Sequence, residues 1–297
     1  MKRAIWLVET GLAVILSVPL AILPFGWSVK AGAILGLLLF YLWKSRRRIA
    51  IENLARAVAN GSLHVDRPVE SIIRDAFRNL GRSAAEVVKI YYGHGRNAVD
   101  AVRIDGYEHF AEARRRGKGV IFITGHCGNW ELLAIAASIK LSPLAVIARR
   151  IDNSFVNGFV ERVRRKYGNT VIYKKGALKR ALQELKRNAC IGILMDQAVI
   201  PEEGYVIDFL GRGAWTTKMP ALIARKTEAA VLPAFIHREG DSHRITIFPA
   251  VKLSDKGDTE QAVREDTERF SSFIEEYIRR HPDEWLWIHR RWKRVDH

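Results

Sequence analysis

One run constrains the fold more than any other: Gly119-Val120-Ile121-Phe122-Ile123-Thr124-Gly125-His126-Cys127-Gly128-Asn129-Trp130-Glu131-Leu132. Val120 to Thr124 is an unbroken series of β-branched and aromatic residues bounded by glycines, which predicts a buried central strand. Asn129 is a residue that caps helices, and Leu132 to Ile139 continues in helix-compatible apolar residues. The run therefore predicts strand, tight loop and helix in succession, the repeating unit of an α/β fold. We expect a mixed, mostly parallel central sheet flanked by helices.

His126 and Glu131 stand five positions apart. On one continuous helix they would point to different faces. With His126 on the loop and Glu131 in the first helical turn, the side chains can meet, as a general base and the carboxylate that orients it. In a chain with nine histidines such a spacing arises about once by chance. The setting adds weight, because Gly125 and Gly128 leave room for a substrate beside the backbone. The plain alternative is a loop histidine and a glutamate favoured by the helix dipole. Cys127 makes a poor nucleophile, since neighbouring side chains in an extended loop point apart and His126 could hardly activate it.

Along the body, Ile49 to Ala59 and Pro68 to Tyr92 read as amphipathic helices. Val102 to Ile104 is a short edge strand before a helix over Tyr107 to Arg116. Leu144 to Ala148 is a buried strand ending in Arg149-Arg150, two guanidiniums placed to bind phosphate or to form a solvated turn. Ser154 to Tyr167 (helix), Thr170 to Tyr173 (strand) and Ala177 to Arg187 (helix) follow. Ala189 to Met195 is a strand that delivers Asp196-Gln197 to its carboxyl end, where open α/β sheets carry their sites. Asp196 is either an orienting residue or a turn former. Tyr205 to Leu210 is strand-like, Gly211-Arg212-Gly213 a turn, and Thr216 or Thr217 the cap of a helix running to Lys226. Val231 to His237 and Arg244 to Phe248 are the last strands. Thr259 to Arg280 is a helix with a core-facing stripe at Phe270, Phe273, Ile274 and Tyr277. Trp285 to Arg294 interleaves aromatic with basic residues, a pattern that suits an interface.

The first 45 residues differ. Ala4 to Leu23 carries one charge, Glu9, and is long enough to cross a ~30 Å hydrocarbon core. Leu23-Pro24-Phe25-Gly26-Trp27 breaks the run, and Ala31 to Trp43 is a second apolar stretch. We expect residues 1–45 to be a membrane anchor, as a single helix or a hairpin, and 46–297 the catalytic unit. Lys44 to Arg48 puts that unit on the cytoplasmic side. Lys plus Arg outnumber Asp plus Glu 48 to 32, a net charge of +16, which implies an acidic partner such as an anionic membrane surface or a carrier protein. Two cysteines, Cys127 and Cys190, exclude a disulfide framework and fit a reducing compartment. Neither they nor His126 have zinc-ligand spacing.

Gly125 to Glu131 resembles the His-x4-Asp/Glu block of glycerolipid-type acyltransferases, in particular the branch containing the late acyltransferases of lipid A biosynthesis. Asp196-Gln197, Asp208-Phe209-Leu210-Gly211-Arg212, Thr216 to Ala224 and His281 to Arg291 extend the resemblance from about Arg46 to Arg294. Arg48, Asn53, Asn79 and Glu86 resemble helical positions of the same family. The resemblance implies a bacterial inner-membrane O-acyltransferase facing the cytoplasm, without metal or cofactor. The acyl thioester, on acyl-carrier protein or coenzyme A, would be the co-substrate, and a lipid A precursor or related glycolipid the acceptor. His126 and Glu131 would be catalytic, with Arg149, Asp196, Arg212, Asn129 and Thr217 binding substrate. A glycerophospholipid acyltransferase is the near alternative. A membrane-tethered nucleic-acid binder is the remote one, since it would not need the His126–Glu131 pair.

Overall fold

Two apolar helices open the chain, α1 (Lys2–Ile22) and α2 (Phe25–Leu42). They part at Leu23-Pro24, where the proline fixes the backbone at the start of α2 and has no amide to leave unpaired. In this computed structural model the described residues are 2–173, 176–257 and 259–295, so the last two residues of the expected catalytic unit lie outside them. Helix α3 (Lys44–Ala59) takes in the basic run after Trp43, and α4 (Val69–Tyr91) carries the chain to the sheet. Then come α5 (Arg96–Asp100), β1 (Arg103–Asp105), α6 (Tyr107–Arg115), β2 (Val120–Thr124) and α7 (Trp130–Lys140). The alternation continues with β3 (Leu144–Ala148), α8 (Ser154–Lys166), β4 (Thr170–Tyr173), α9 (Ala177–Lys186) and β5 (Cys190–Leu194). A hairpin of β6 (Gly204–Phe209) and β7 (Arg212–Thr217) precedes α10 (Met219–Thr227), β8 (Ala230–Glu239), β9 (Ser242–Ile247) and α11 (Glu260–Arg280).

Seven strands form the main sheet in the order β1-β9-β8-β2-β5-β3-β4. The five from β8 to β4 run parallel, while β9 runs antiparallel to β8 and parallel to β1. This is the mixed, mostly parallel sheet expected. All five residues of β2 are buried, as its unbroken apolar run requires of a strand covered on both faces.

Helix α2 packs along α4 through Gly32, Gly36 and Phe40. A Cβ at Gly36 would sit 2.1 Å from the Phe77 carbonyl oxygen, so only glycine allows this approach.

Two stretches differ from expectation. Gly211-Arg212-Gly213 is not the turn: Leu210 (φ 52°) and Gly211 (φ 73°) are. Two successive residues at positive φ make the loop whose twist suits a two-residue hairpin. Arg212 to Thr217 therefore pairs with β6 as a strand, and the next helix starts only at Met219. The second is Trp285 to Arg294, whose tryptophans and Arg291 are core, while Arg290, Lys293 and Arg294 are exposed. Trp285, Trp287 and Trp292 are at most 3% exposed and Arg291 is fully buried. The indoles and both terminal nitrogens of Arg291 find acceptors, while Arg291 Nε has none among the described residues. Trp287 Nε1 donates to Pro282 O (2.6 Å), Trp292 Nε1 to Phe209 O (3.3 Å), and Arg291 to Trp215 O and Thr216 Oγ1 (2.6 and 2.5 Å). Satisfied in this way, the same amphipathic side chains serve a core as well as an interface.

Candidate active site

Strands β2 and β5 are neighbours in parallel register, Thr124 beside Leu194. The residues that follow each strand therefore emerge side by side at the carboxyl edge of the sheet, His126 from one and Asp196 from the other. The Asp196 carboxylate accepts three hydrogen bonds at 2.8 Å, from His126 N, His126 Nδ1 and the Trp285 indole. Burial alone would raise the Asp196 pKa, but the His126 charge and these donors hold it well below the usual carboxylate range. An ionised carboxylate can only accept, so Nδ1 carries the proton and Nε2 is left as the basic nitrogen. Burial pulls His126 down, but the Asp196 charge and hydrogen bond together with the Glu131 charge outweigh it and leave His126 above the ordinary histidine value. The His126 side chain is 19% exposed against 2% for Asp196, so the base can be reached while its orienting carboxylate cannot.

The loop is held from the other side by a C-terminal strap, residues 282–295, which follows α11. Gly128 N donates to Glu284 O (2.8 Å) and Leu286 N to His126 O (3.2 Å). Gly128 has φ 56°, and a Cβ there would lie 2.1 Å from Ile236 O, so glycine is required. The Trp130 ring stands edge-on to the imidazole with centroids 5.1 Å apart. The Gln197 amide lies 3.1 Å from His126 Nε2 and donates to it.

Glu131 sits in the first turn of α7 as expected, yet it does not bond the imidazole. Its carboxylate engages Arg164 of α8 (Nη2 2.5 Å, Nε 3.3 Å) and the Tyr91 hydroxyl (3.4 Å). The imidazole is turned toward the end of β5, and the planar guanidinium fork claims both carboxylate oxygens. The Glu131 charge still contributes to raising His126. Arg164 carried no distinguishing signal in the sequence, standing among four basic residues between Arg162 and Lys166.

Asn129 caps α7, its Oδ1 accepting from Leu132 N (3.1 Å) while Nδ2 donates to Glu86 (2.8 Å). Glu86, on α4, is fully buried and is compensated by Arg238 at 2.6 and 3.0 Å, as an enclosed charge must be. Burial pushes the neighbouring His243 down to about 4. Asn53 donates to Trp287 O and His289 O, and Asn79 to Asp283 O, so both helical asparagines hold the strap. Arg48 pairs with Glu52 at the surface (3.8 Å).

Arg149 lies at the same carboxyl edge, since β3 adjoins β5, but its exposed side chain pairs with Asp152 (2.9 Å). Arg212 stacks over Trp292, 4.5 Å from the ring centre. Thr217 ends β7, and its hydroxyl accepts from Met219 N (3.3 Å). None of these three is hydrogen-bonded to the His126 imidazole or to Asp196. Cys127 is buried, and burial with the Asp196 and Glu284 charges pushes its thiol well up, the opposite of what a thiolate nucleophile needs. A narrow, mostly apolar cleft runs between α4 and the strap. Ile73, Phe77, Leu80, Trp130, Trp287 and Ile288 line it, so Trp130 joins the cleft to the imidazole.

Residues 2–294 match the family model of the bacterial lipid A biosynthesis acyltransferases. The chain belongs to this family. It is therefore an enzyme that transfers acyl groups. It is similar to a lipid A biosynthesis acyltransferase of Haemophilus influenzae, 23% identical over 97% of this chain and 88% of that protein. The lipid A biosynthesis myristoyltransferase of Escherichia coli is 23% identical over 83% of this chain and 75% of its own length. A phosphatidylinositol mannoside acyltransferase of Mycolicibacterium smegmatis is 27% identical over 81% of this chain and 77% of its own.

Proposed function

We propose that the protein is a membrane-bound O-acyltransferase of the inner membrane, working on the cytoplasmic face. It moves a fatty acyl chain from a thioester on acyl-carrier protein or coenzyme A to a hydroxyl of a lipid A precursor or related glycolipid. The observation that carries this reading is the His126–Asp196 pair at the sheet edge, with Nδ1 committed to the carboxylate. The acceptor hydroxyl takes the place of the Gln197 amide at Nε2 and gives up its proton there. Its oxygen attacks the thioester carbonyl, and collapse of the tetrahedral intermediate forms the ester and expels the thiolate. The imidazolium returns the proton to that sulfur. Asp196 stabilises the imidazolium through both steps, while Glu131 and Arg164 form a polar wall beside it. A charge of +16 favours an acidic carrier protein as donor, and Arg149 at the sheet edge is placed to meet its phosphate.

The test is acyl transfer by the purified full-length chain, with acyl-carrier protein or coenzyme A thioesters as donors. Lipid A precursor, phosphatidylinositol mannoside and lysophospholipid are offered as acceptors, and products are read by mass spectrometry. An ester product on one of the sugar lipids, lost ~10²–10⁴-fold in His126→Ala, is expected. Transfer only to the lysophospholipid would move the assignment to glycerophospholipids, and a His126→Ala variant with wild-type turnover would remove the mechanism.

A further inference from the structure

Asp196 and Gln197, consecutive residues at the end of β5, address both nitrogens of the His126 imidazole. Asp196 Oδ1 accepts from Nδ1 (2.8 Å), and the next side chain sets its amide nitrogen 3.1 Å from Nε2. Because the ionised carboxylate keeps the proton on Nδ1, Nε2 is an acceptor, and only the NH₂ end of the Gln197 amide can face it. That nitrogen is also 3.5 Å from Nδ1. It therefore stands beside the ring, off the axis of the Nε2 lone pair, along which a well-aligned donor would lie. Gln197 is half-buried, and among the described residues its side chain has no hydrogen-bond partner but this imidazole.

Acyl transfer needs more than a base. When the acceptor oxygen attacks the thioester carbonyl, the carbonyl π pair moves onto its own oxygen, and a positioned donor must meet that charge. Donors around the loop are committed elsewhere. His126 N and the Trp285 indole are on Asp196, Gly128 N on Glu284 O and Leu132 N on Asn129. The Asn129 amide is on Glu86 and the Arg164 guanidinium on Glu131. The Gln197 amide has two hydrogens and spends at most one on Nε2. A reacting hydroxyl must sit within hydrogen-bond reach of that same nitrogen. The carbonyl it attacks is then brought beside the amide, as a shared reaction centre requires.

Resting on the acyl-transfer function above, we propose that Gln197 is a further catalytic residue, the side-chain donor to the oxyanion. In the free enzyme its amide caps the base. When the acceptor takes Nε2, the amide turns onto the thioester carbonyl oxygen and donates a hydrogen bond there. No proton leaves it. The bond strengthens as the tetrahedral intermediate forms, and weakens as the carbonyl re-forms and the thiolate departs. One dipeptide at the end of one strand then orients the base and stabilises the charge that the base creates.

Gln197→Met, of similar length and without an N–H, tests this in the full-length enzyme. Steady-state transfer is measured over a range of donor and acceptor concentrations, with a pH profile and a thermal melt. Loss of an oxyanion donor is expected to lower kcat ~10²–10³-fold, with the acceptor KM unchanged or lower, because a competitor for Nε2 has gone. Removing a donor from the neutral imidazole cannot lower the histidine pKa, so the acid limb of kcat/KM stays above ~6.5. Gln197→Glu keeps the shape but sets a negative charge against the oxyanion, so it should lose at least as much. A kcat held or raised in Gln197→Met, with a lower acceptor KM, would make the amide a resting cap only and overturn the proposal. So would full turnover in a folded Gln197→Glu. An acid limb moved down, or a lowered melt with raised KM and unchanged kcat, would overturn it in favour of a positioning or a structural role. Absence of wild-type transfer to any acceptor would remove the reaction and this role with it, whereas wild-type transfer that survives in Gln197→Met removes the role alone.

Discussion

Asp196→Asn is the substitution that separates an orienting carboxylate from a structural one. Asp196 accepts three hydrogen bonds at 2.8 Å, and an asparagine of the same shape keeps only one acceptor oxygen. Its amide nitrogen must then face either the indole and backbone donors or the imidazole. The first leaves buried N–H groups unpaired, at about 1–3 kcal/mol. The second forces the proton from Nδ1 to Nε2 and removes the free base. In a serine protease the equivalent change lowers turnover ~10⁴-fold through the wrong tautomer. We expect a loss of ~10²–10⁴-fold here, about 2.7–5.4 kcal/mol of transition-state stabilisation. The pH profile gives a second signature. Since His126 is raised above its ordinary value, the acid limb of wild-type kcat/KM lies above ~6.5, and removing the Asp196 charge lowers it. Stability follows the same linkage. The raised histidine contributes fully below ~6.5 and loses its contribution as pH climbs through the folded value. The depressed carboxylate contributes above ~3.9 and loses its contribution as pH falls through its own. The gap in melting temperature between wild type and variant is therefore widest between about pH 4 and 6.5 and narrows on both sides. The assay is kcat/KM from about pH 5.5 to 9 with melts at each pH. An Asp196→Asn enzyme within about tenfold of wild type, its acid limb unmoved, would refute the assigned role.

Glu131→Gln should weaken transfer and lower the acid limb less than Asp196→Asn does, because its carboxylate acts on His126 through its charge alone and is bonded to Arg164 and Tyr91. A limb shifted as far as in Asp196→Asn would restore Glu131 as the orienting group. Trp287→Ala removes a buried indole that is 1% exposed and should destabilise the fold by about 3–5 kcal/mol. An unchanged thermal melt, with weaker lipid binding instead, would return this stretch to the membrane interface. Cys127→Ala should remain active at a stability cost of about 1 kcal/mol, and complete loss of transfer in a folded variant would revive a thiol mechanism.

How far the sequence carried depends on the range over which each feature is decided. Val120 to Thr124, Leu144 to Ala148 and Cys190 to Leu194 were legible as strands because burial on both faces leaves a continuous apolar run. His126 and Asn129 were legible because a strand–loop–helix junction fixes a loop base and a cap within a few residues. The β6–β7 hairpin was misplaced by its composition. Glycines at 211 and 213 suggested a turn centred on Arg212, whereas the positive φ falls on Leu210 and Gly211. The strap was misread because tryptophans among basic residues have the same composition at a membrane surface and in a core whose acceptors come from a distant hairpin. The imidazole's partner depends on the longest range of all. Spacing along the chain nominated Glu131, five residues away, but the bond is made by Asp196, seventy residues on. What brings Asp196 there is that β2 pairs with β5 and not with β3, the next strand in the chain. Order in a sheet of similar apolar strands is settled by crossover handedness and by the packing of every intervening helix. A site built between two such strands therefore has one residue that local pattern can find and one that only the topology can supply.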